Sequence, residues 1–419
     1  MHTLGCRANQ SDSERLREIL LGAGFQEVEF SQPADVRVVN TCTVTSEADR
    51  KSAQVVRRGL RLGGQVVATG CAVAARGGLA GGRLPGSVLR LPPAQSERLL
   101  SLIGADNCPS TQLVDQDTVK VRTRALLRVQ DGCDQFCTFC IVPYVRGRSR
   151  SFPVEQLVEE ARRLERAGYR EVVLTGIHLA VWGRELGLDL SHLLEALLSA
   201  TSRVRFRLSS IEPDCFPVAL FELMRRHPER VCPHLHLALQ HASDRVLERM
   251  HRDYDQAHFS RLVEAFFAIP GACLTSDVMV GFPGESEEDF AILKRYLRDR
   301  PFFRLHVFPY SPRPGTAAAR FPDQVPVEVR NRRRDELLAL GERKRLAYLR
   351  AQRGCERDVL VEAPGPRDGT MEGLTENYVP VLLRGGPALR GHLLRARLGR
   401  VSGMAVQAAL VRKEFLPGS

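Results

Sequence analysis

The chain has 419 residues, and its 43% hydrophobic content is enough for two or three domains with well-packed cores. The excess of 60 Lys+Arg over 49 Asp+Glu gives a net charge of +11, which favours a polyanionic partner, although an arginine-rich genome would produce the same bias. No apolar stretch approaches the roughly 18 residues of a membrane span, and eleven cysteines favour metal binding over disulfides. We therefore expect a cytoplasmic protein with no membrane partner.

Three cysteines in the N-terminal region each follow a strand-like run. Cys6 lies in the run Thr3-Leu-Gly-Cys-Arg-Ala-Asn-Gln, Cys42 follows the β-branched run from Asp35, and Cys71 ends the run that starts at Gln65. A helix is predicted over 46–62 between the last two. In a parallel sheet these cysteines would meet at the carboxyl edge, where α/β folds bind ligands. Spacing alone leaves scattered buried cysteines equally open.

A second set of cysteines, Cys133, Cys137 and Cys140, has the spacing C-x3-C-x2-C. Three thiolates on one short loop can hold three corners of an iron–sulfur cube and leave one iron open to a ligand. The alternatives are a zinc site or a disulfide. Zinc would require a fourth Cys or His close by, and none follows at zinc-finger spacing. The spacing therefore favours a cluster.

Strand and helix patterns then alternate to about Phe308, which predicts a complete or partial parallel βα barrel. Over 328–353 nine basic residues stand against four acidic ones, with leucines Leu337, Leu338, Leu340 and Leu346 on one side. This pattern predicts a basic amphipathic helix, or alternatively a solvated helix that joins two domains. From about Gly354, short strands separated by Gly and Pro predict a small β-barrel.

The run Asp131–Arg150 closely resembles the cluster motif of radical S-adenosylmethionine (SAM) enzymes. The segments around Cys6, Cys42 and Cys71 resemble the N-terminal domain of one subgroup, the methylthiotransferases. Further matching runs are Glu171–His178, Arg207–Pro213, Asp277–Glu285 and Phe308–Thr316.

The resemblance implies an α/β fold in three parts. These are an N-terminal Rossmann-like parallel-sheet domain over 1–108, a partial (βα)6 radical SAM barrel over 119–350, and a β-barrel like the RNA-binding TRAM domain over 354–419. It also implies two [4Fe-4S] clusters and SAM as cofactors. Cys133, Cys137 and Cys140 would hold the cluster that binds SAM, and Cys6, Cys42 and Cys71 a second, auxiliary cluster.

By the same resemblance, two groups of residues would contact SAM. Near its adenine would lie Gly281, Pro283, Gly284 and Glu285, where glycine lets the backbone approach a ligand closely. Near its ribose and methionine end would lie Ser209, Ser210 and Glu212. A strand-ending turn and a helix cap are the structural alternatives for the two groups.

The implied reaction is methylthiolation at C2 of an adenosine beside the anticodon. One SAM would supply the radical and another the methyl group. The motifs look most like the group that modifies N6-threonylcarbamoyladenosine at position 37 of tRNA. Alternatives are isopentenyladenosine 37 of tRNA, an aspartate of a ribosomal protein, or an Fe–S RNA-binding protein without turnover. The implied partners are the tRNA anticodon stem-loop, an electron-donor protein and a sulfur donor.

Some positions differ from the sequence pattern of the family, and several histidines and cysteines have no function assigned by the resemblance. The family usually has a full strand before the first cysteine, a proline in place of Ala238, and Ser-Gly in place of His241-Ala242. Histidines that could be acid–base groups or ordinary core residues are His178, His234, His236 and His241. The cysteines read as structural or incidental are Cys108, Cys215, Cys232, Cys273 and Cys355.

Overall fold

The computed structural model describes residues 1–75, 84–105 and 122–412. The chain folds into two compact units. The first contains Met1–Thr118, Gln130–Arg150 and Ser311–Pro322, and the second contains Val119–Val129, Ser151–Tyr310 and Asp323–Ser419. Cys108 and the predicted domain limits at 108 and 119 lie outside the described residues, and the three domain boundaries remain predictions.

Strands and helices largely alternate along the described chain up to a long helix, and the described residues beyond it form strands and one short 3-10 turn. The helices are α1 (Arg7–Gly22), α2 (Ser46–Arg61), α3 (Cys71–Ala74), α4 (Leu99–Leu102), α5 (Val142–Arg146), α6 (Val154–Arg166), α7 (Leu190–Ala200), α8 (Ala219–Arg226), α9 (Asp244–Arg249), α10 (Gln256–Phe267), α11 (Glu287–Asp299) and α12 (Val327–Ala351). The strands are β1 (His2–Thr3), β2 (Val36–Thr41), β3 (Gln65–Gly70), β4 (Val88–Leu91), β5 (Ala125–Arg128), β6 (Gln130–Asp131), β7 (Arg150–Ser151), β8 (Glu171–Thr175), β9 (Arg205–Leu208), β10 (Ser210–Ile211), β11 (His234–Leu237), β12 (Cys273–Val280), β13 (Phe302–Pro309), β14 (Glu356–Pro364), β15 (Thr370–Thr375), β16 (Pro380–Arg384), β17 (Leu393–Ser402) and β18 (Ala405–Arg412).

The first unit contains a parallel four-stranded sheet in the order β1-β2-β3-β4. Its buried strand residues are mostly β-branched, as strands covered on both faces require. Helix α2 begins where Thr45 accepts a hydrogen bond from the Ala48 amide, and it carries acids in its first turn and arginines in its last, matching the helix dipole. The predicted parallel sheet is confirmed, with β1 only two residues long.

The second unit contains six parallel strands, because β9 and β10 are separated only by Ser209 and continue each other. They pair as β5-β8-β9 and as β10-β11-β12-β13. Apolar residues on the outward faces of the strands pack against the helices in one large core. The predicted (βα)6 barrel is therefore confirmed.

The C-terminal strands of the second unit close into a five-stranded barrel in the order β14-β15-β16-β18-β17. Its interior is a separate core that includes Val359, Val381 and Leu394. The predicted small β-barrel is confirmed. Within the described part of the chain, no helix combines the length and the apolar character that crossing a bilayer requires.

Candidate iron–sulfur centre

The three N-terminal cysteines lie at the carboxyl edge of the first unit's sheet, as predicted. Cys6 is the N-cap of α1, Cys42 directly follows β2, and Cys71 is the first residue of α3. Gly5 has φ +95°, and a Cβ there would lie 2.9 Å from the Cys42 Sγ. Only glycine therefore permits the loop of the first cysteine to approach the second so closely.

Arg146, from the α5 helix that follows the second cysteine set, is buried beside the first set. Its side chain is 1% exposed. Its Nε donates to the Cys71 Sγ at 3.3 Å, and its Nη2 donates to Asn9 Oδ1 at 2.6 Å and Asp12 Oδ2 at 2.7 Å. Asn9 in turn donates to the Leu4 carbonyl at 2.8 Å. One guanidinium thus joins the first and third cysteine segments.

Two of these thiols, those of Cys42 and Cys71, are harder to ionise than a free cysteine thiol. Burial raises the pKa of Cys71 to about 11, even though Arg146 lowers it, and burial also raises the pKa of Cys42. Without a metal both groups therefore stay as thiols near neutral pH, while bound iron would take them as thiolates and release protons. Arg146 supplies an N–H donor to the sulfur of Cys71, the kind of hydrogen bond that tunes iron–sulfur sites.

The second cysteine set occupies an irregular loop of the same unit, between β6 and α5. Gly132 has φ +71°, and a Cβ there would lie 1.9 Å from the Arg148 carbonyl oxygen. The Cys133 amide donates to the Gly147 carbonyl at 3.1 Å, and its Sγ accepts from the Gln135 amide at 3.5 Å. Because the glycine and these bonds close the loop on itself, its three cysteines are held in one short span.

A segment that is distant in sequence, Ser311–Pro322, completes the first unit. Arg313 is buried, donates to Thr43 Oγ1 at 2.9 Å, and forms an ion pair with Asp49. The Ala318 amide donates to the Thr138 carbonyl at 2.8 Å. The segment therefore contacts both the residues that follow Cys42 and the loop of the second cysteine set.

In the second unit, Ser209 lies between β9 and β10, Ser210 begins β10, and Glu212 directly follows β10. Ser209 Oγ and Glu212 Oε2 are buried and have no hydrogen-bond partner among the described residues. Burial raises the pKa of Glu212, although His178, 3.6 Å away, lowers it. Buried polar atoms without partners are what a polar ligand would satisfy, so these residues fit the SAM contacts that the sequence predicts.

Gly281, Pro283, Gly284 and Glu285 form the turn after β12. Glu285 Oε2 accepts from the Gly281 amide at 2.5 Å, and its Oε1 accepts from Arg333 at 2.9 Å. Burial raises the pKa of Glu285 to about 7, although Arg333 and the backbone amides lower it. Arg330 lies directly over Gly281, so that a Cβ there would be 2.0 Å from its Cγ. In this structure Glu285 shapes the turn, and its assignment to SAM remains a prediction.

His241, one of the departures from the family pattern, is a neutral core histidine. It is fully buried, and its Nδ1 accepts from the Ser243 amide at 3.0 Å. Burial lowers its pKa to about 3. Since the unfolded chain protonates near pH 6.5, His241 contributes stability that is fully present above pH 6.5 and is lost as the pH falls toward 3.

We therefore expect His241→Ser to reduce the acid sensitivity of the protein. The difference in unfolding free energy between the wild type and this variant should shrink by up to about 1.4 kcal/mol for each pH unit below about 6.5. Urea unfolding at several values between pH 7.5 and 5.5 measures this, with exposed His192→Ser as the control. A difference that does not change with pH would contradict the buried neutral form. Glu285, 3.8 Å from His241, has a raised pKa that opposes this pH dependence in the wild type.

The basic helix predicted over 328–353 is observed as α12, but much of its charge is paired within the protein. Arg333 bonds Glu285, Arg345 bonds Glu342 at 2.8 Å, and Arg330 donates to the Tyr310 carbonyl at 2.6 Å. The predicted apolar face is wrong at Leu338, which is 44% exposed, because a 3.6-residue period turns it away from buried Leu337 and Leu340. The helix therefore presents less unpaired positive charge than its composition suggests.

Sequence reasoning did not identify Arg146 or Arg313. Both belong to runs that resemble the family, but a lone arginine in a basic chain carries no signal of burial. Their roles depend on acids and sulfurs contributed by distant segments. The Nε2 of His178, which the sequence suggested as an acid–base group or a core histidine, lies 3.6 Å from the Glu212 carboxylate and 3.9 Å from that of Asp214.

Comparison with known proteins agrees with this architecture. Residues 127–297 match the radical SAM superfamily model, and residues 1–80 match the uncharacterized protein family UPF0004. The chain is 36% identical to the threonylcarbamoyladenosine tRNA methylthiotransferase MtaB of Bacillus subtilis, over 95% of this chain and 92% of that protein. It is 34% identical to the tRNA-2-methylthio-N(6)-dimethylallyladenosine synthase of Moorella thermoacetica, over 99% and 98%.

A solved structure shares the fold. The radical SAM methyltransferase TsrM from Kitasatospora setae, with cobalamin and a [4Fe-4S] cluster bound, aligns with a TM-score of 0.50 at 15% identity, over 75% of this chain and 69% of that one. The parallel barrel and the three-cysteine motif thus define a radical SAM enzyme, a class that uses a [4Fe-4S] cluster and SAM. The identity along nearly the whole chain is more specific: the protein belongs to the radical SAM methylthiotransferase family.

Proposed function

We propose that this protein methylthiolates C2 of N6-threonylcarbamoyladenosine at position 37 of tRNA. The observation that carries the proposal is the presence of two cysteine triads in one compact unit, with Arg146 joining the helix after one triad to the sulfur of the other. The substrate follows from the relative in Bacillus subtilis, whose name specifies threonylcarbamoyladenosine in tRNA.

In this proposal Cys133, Cys137 and Cys140 hold the cluster that binds SAM, and Cys6, Cys42 and Cys71 hold the auxiliary cluster. Bound SAM and its cluster would supply the radical chemistry needed at an unactivated C–H bond. The SAM contacts would come from the unpartnered buried oxygens of Ser209 and Glu212, together with Ser210 and the turn Gly281–Glu285.

The C-terminal β-barrel, β14–β18, would contact RNA as TRAM domains do, with the anticodon stem-loop as the partner. A target adenosine in a single-stranded loop can be turned outward at modest cost. A sulfur donor and an electron-donor protein complete the set of partners in a cytoplasmic reaction. A second candidate substrate is dimethylallyladenosine (isopentenyladenosine), since the relative in Moorella thermoacetica is named for it at 34% identity.

Mass spectrometry of tRNA nucleosides from cells with and without this gene tests the substrate. We expect the methylthio form of threonylcarbamoyladenosine to disappear on deletion and the dimethylallyl form to be unchanged. Loss of the dimethylallyl form instead would transfer the assignment to the second candidate. An unchanged nucleoside profile would contradict both and favour the ribosomal-protein aspartate.

Replacing Cys6 with alanine tests the auxiliary cluster. We expect the variant to lose about half of the roughly eight irons bound after anaerobic reconstitution, because one of two equal clusters would lack a ligand. Iron and sulfide analysis measures this, and Cys355→Ala is the matched control. Unchanged iron with unchanged RNA binding would instead support a protein that keeps one cluster for structure and has no turnover.

A further inference from the structure

Three side chains on adjacent strands of the second unit bring metal-ligating atoms together. His236 on β11, Asp277 on β12 and His306 on β13 each offer one ligand atom, and all three atoms lie within 4.8 Å of one another. Asp277 pairs with His306 across the parallel ladder. The alternation of each strand directs these residues away from the face on which Leu235 and Leu274 join the apolar core.

We propose that His236, Asp277 and His306 form a binding site for a divalent transition-metal ion. The two imidazoles and one carboxylate are the donor set that suits ions such as Fe²⁺, Mn²⁺ and Zn²⁺. The proposal does not rest on the proposed tRNA reaction, and the site uses none of the six cluster cysteines.

The distances match those around such an ion. His236 Nε2 lies 3.1 Å from Asp277 Oδ2, and His306 Nδ1 lies 3.5 Å from Asp277 Oδ1. Ligands about 2.1 Å from a metal are separated by about 3.0 Å in octahedral geometry and about 3.4 Å in tetrahedral geometry. An ion could therefore bind between the three side chains with little movement.

Hydrogen bonds around His236 orient it as a ligand. Its Nδ1 lies 2.9 Å from Thr275 Oγ1, and that hydroxyl donates to the Leu235 carbonyl at 3.3 Å. The same hydroxyl lies 3.1 Å from the Nε2 of His234, so Thr275 bridges the two histidines and holds the His236 ring with its Nε2 facing the Asp277 carboxylate. A polar group that orients a ligating histidine through its other ring nitrogen is typical of metal sites.

The short contact between His236 Nε2 and Asp277 Oδ2 must contain either a proton or a metal ion. Two acceptor atoms 3.1 Å apart repel each other unless a proton or a cation lies between them. His306 is 45% exposed, which gives an ion from solution access and leaves coordination positions for water or another oxygen ligand.

Titration of Mn²⁺ into the cluster-reconstituted, full-length protein tests the proposal. Electron paramagnetic resonance counts free Mn²⁺, and pulsed measurements detect nitrogen bound to it. We expect about one Mn²⁺ per chain with imidazole nitrogen coupling. His306→Ala and Asp277→Asn should each weaken binding at least about tenfold, and Thr275→Val, which removes only the orienting hydroxyl, should weaken it about 10- to 100-fold.

Asp189→Asn is the matched control, because Asp189 forms an exposed pair with His192 at 2.9 Å and asparagine keeps its helix-capping role. This variant should bind Mn²⁺ as the wild type does. Circular dichroism shows whether each variant is folded. Equal Mn²⁺ binding by the wild type and folded Asp277→Asn would overturn the proposal and indicate that a proton on His236 compensates the carboxylate.

Discussion

Replacing Arg146 with methionine should remove about half of the iron from the reconstituted protein, as loss of one of two clusters would. The methionine cannot donate to the Cys71 sulfur or to Asn9, which in turn bonds the Leu4 carbonyl beside Cys6. It also leaves the Asp12 carboxylate buried beside an apolar chain. Breaking a buried ion pair in this way costs about 3–5 kcal/mol. Iron, sulfide and visible absorption measure the result.

Two further variants separate the possible causes. Arg148→Met changes a neighbouring arginine that is 77% exposed and paired with Asp134, and it should keep the full iron content. The double variant Arg146→Met with Asp12→Asn also removes the buried negative charge of Asp12. It should recover much of the lost stability without restoring the hydrogen bond to the Cys71 sulfur. Full iron in the Arg146→Met single variant would show that Arg146 does not support the auxiliary site.

Replacing Glu171 with glutamine should destabilise the second unit by about 3–5 kcal/mol. Glu171 is fully buried and holds Arg205 at 2.7 Å and Arg207 at 2.6 Å. Burial alone would raise its pKa, but the two arginines lower it well below the usual range. Its contribution to stability is therefore present above about pH 4.5 and is lost only in acid, so glutamine leaves two buried cations without their counter-charge at neutral pH.

The same change should loosen the attachment of the small β-barrel. Arg205 Nη1 donates to the Asp358 carbonyl at 2.9 Å, and Arg207 Nη1 donates to the Glu376 carbonyl at 2.9 Å. Tyr378 stacks on His234 with ring centroids 4.1 Å apart. Hydrogen exchange should therefore rise along β14 and β15 in the variant, and its thermal midpoint should fall by several degrees.

The control for this charge removal is Glu160→Gln on α6. Glu160 pairs with Arg163 at 2.6 Å, but both side chains are about one-third exposed, so the change should stay within about 0.5 kcal/mol. If Glu171→Gln were equally mild, the buried pair would not be what attaches the β-barrel to the strands β8 and β9.

The sequence predicted the sheets and the metal loop of this protein because its strand patterns and cysteine spacing are strong local signals. β-branched runs ending at Cys42 and Cys71 indicated parallel strands, and the spacing of Cys133, Cys137 and Cys140 indicated a metal loop. These signals depend on residues that are close together in the chain. The family resemblance along nearly the whole length then specified the fold and the class of enzyme.

The tertiary structure alone decided which polar groups act together. The Arg146 guanidinium meets an amide, a carboxylate and a sulfur that lie 137, 134 and 75 residues away. Arg205 and Arg207 bond carbonyls more than 150 residues later in the chain. His236, Asp277 and His306 are likewise joined only by the parallel ladder. Sequence patterns report burial and period, whereas the pairing of charges depends on long-range contacts and on the low dielectric of the interior.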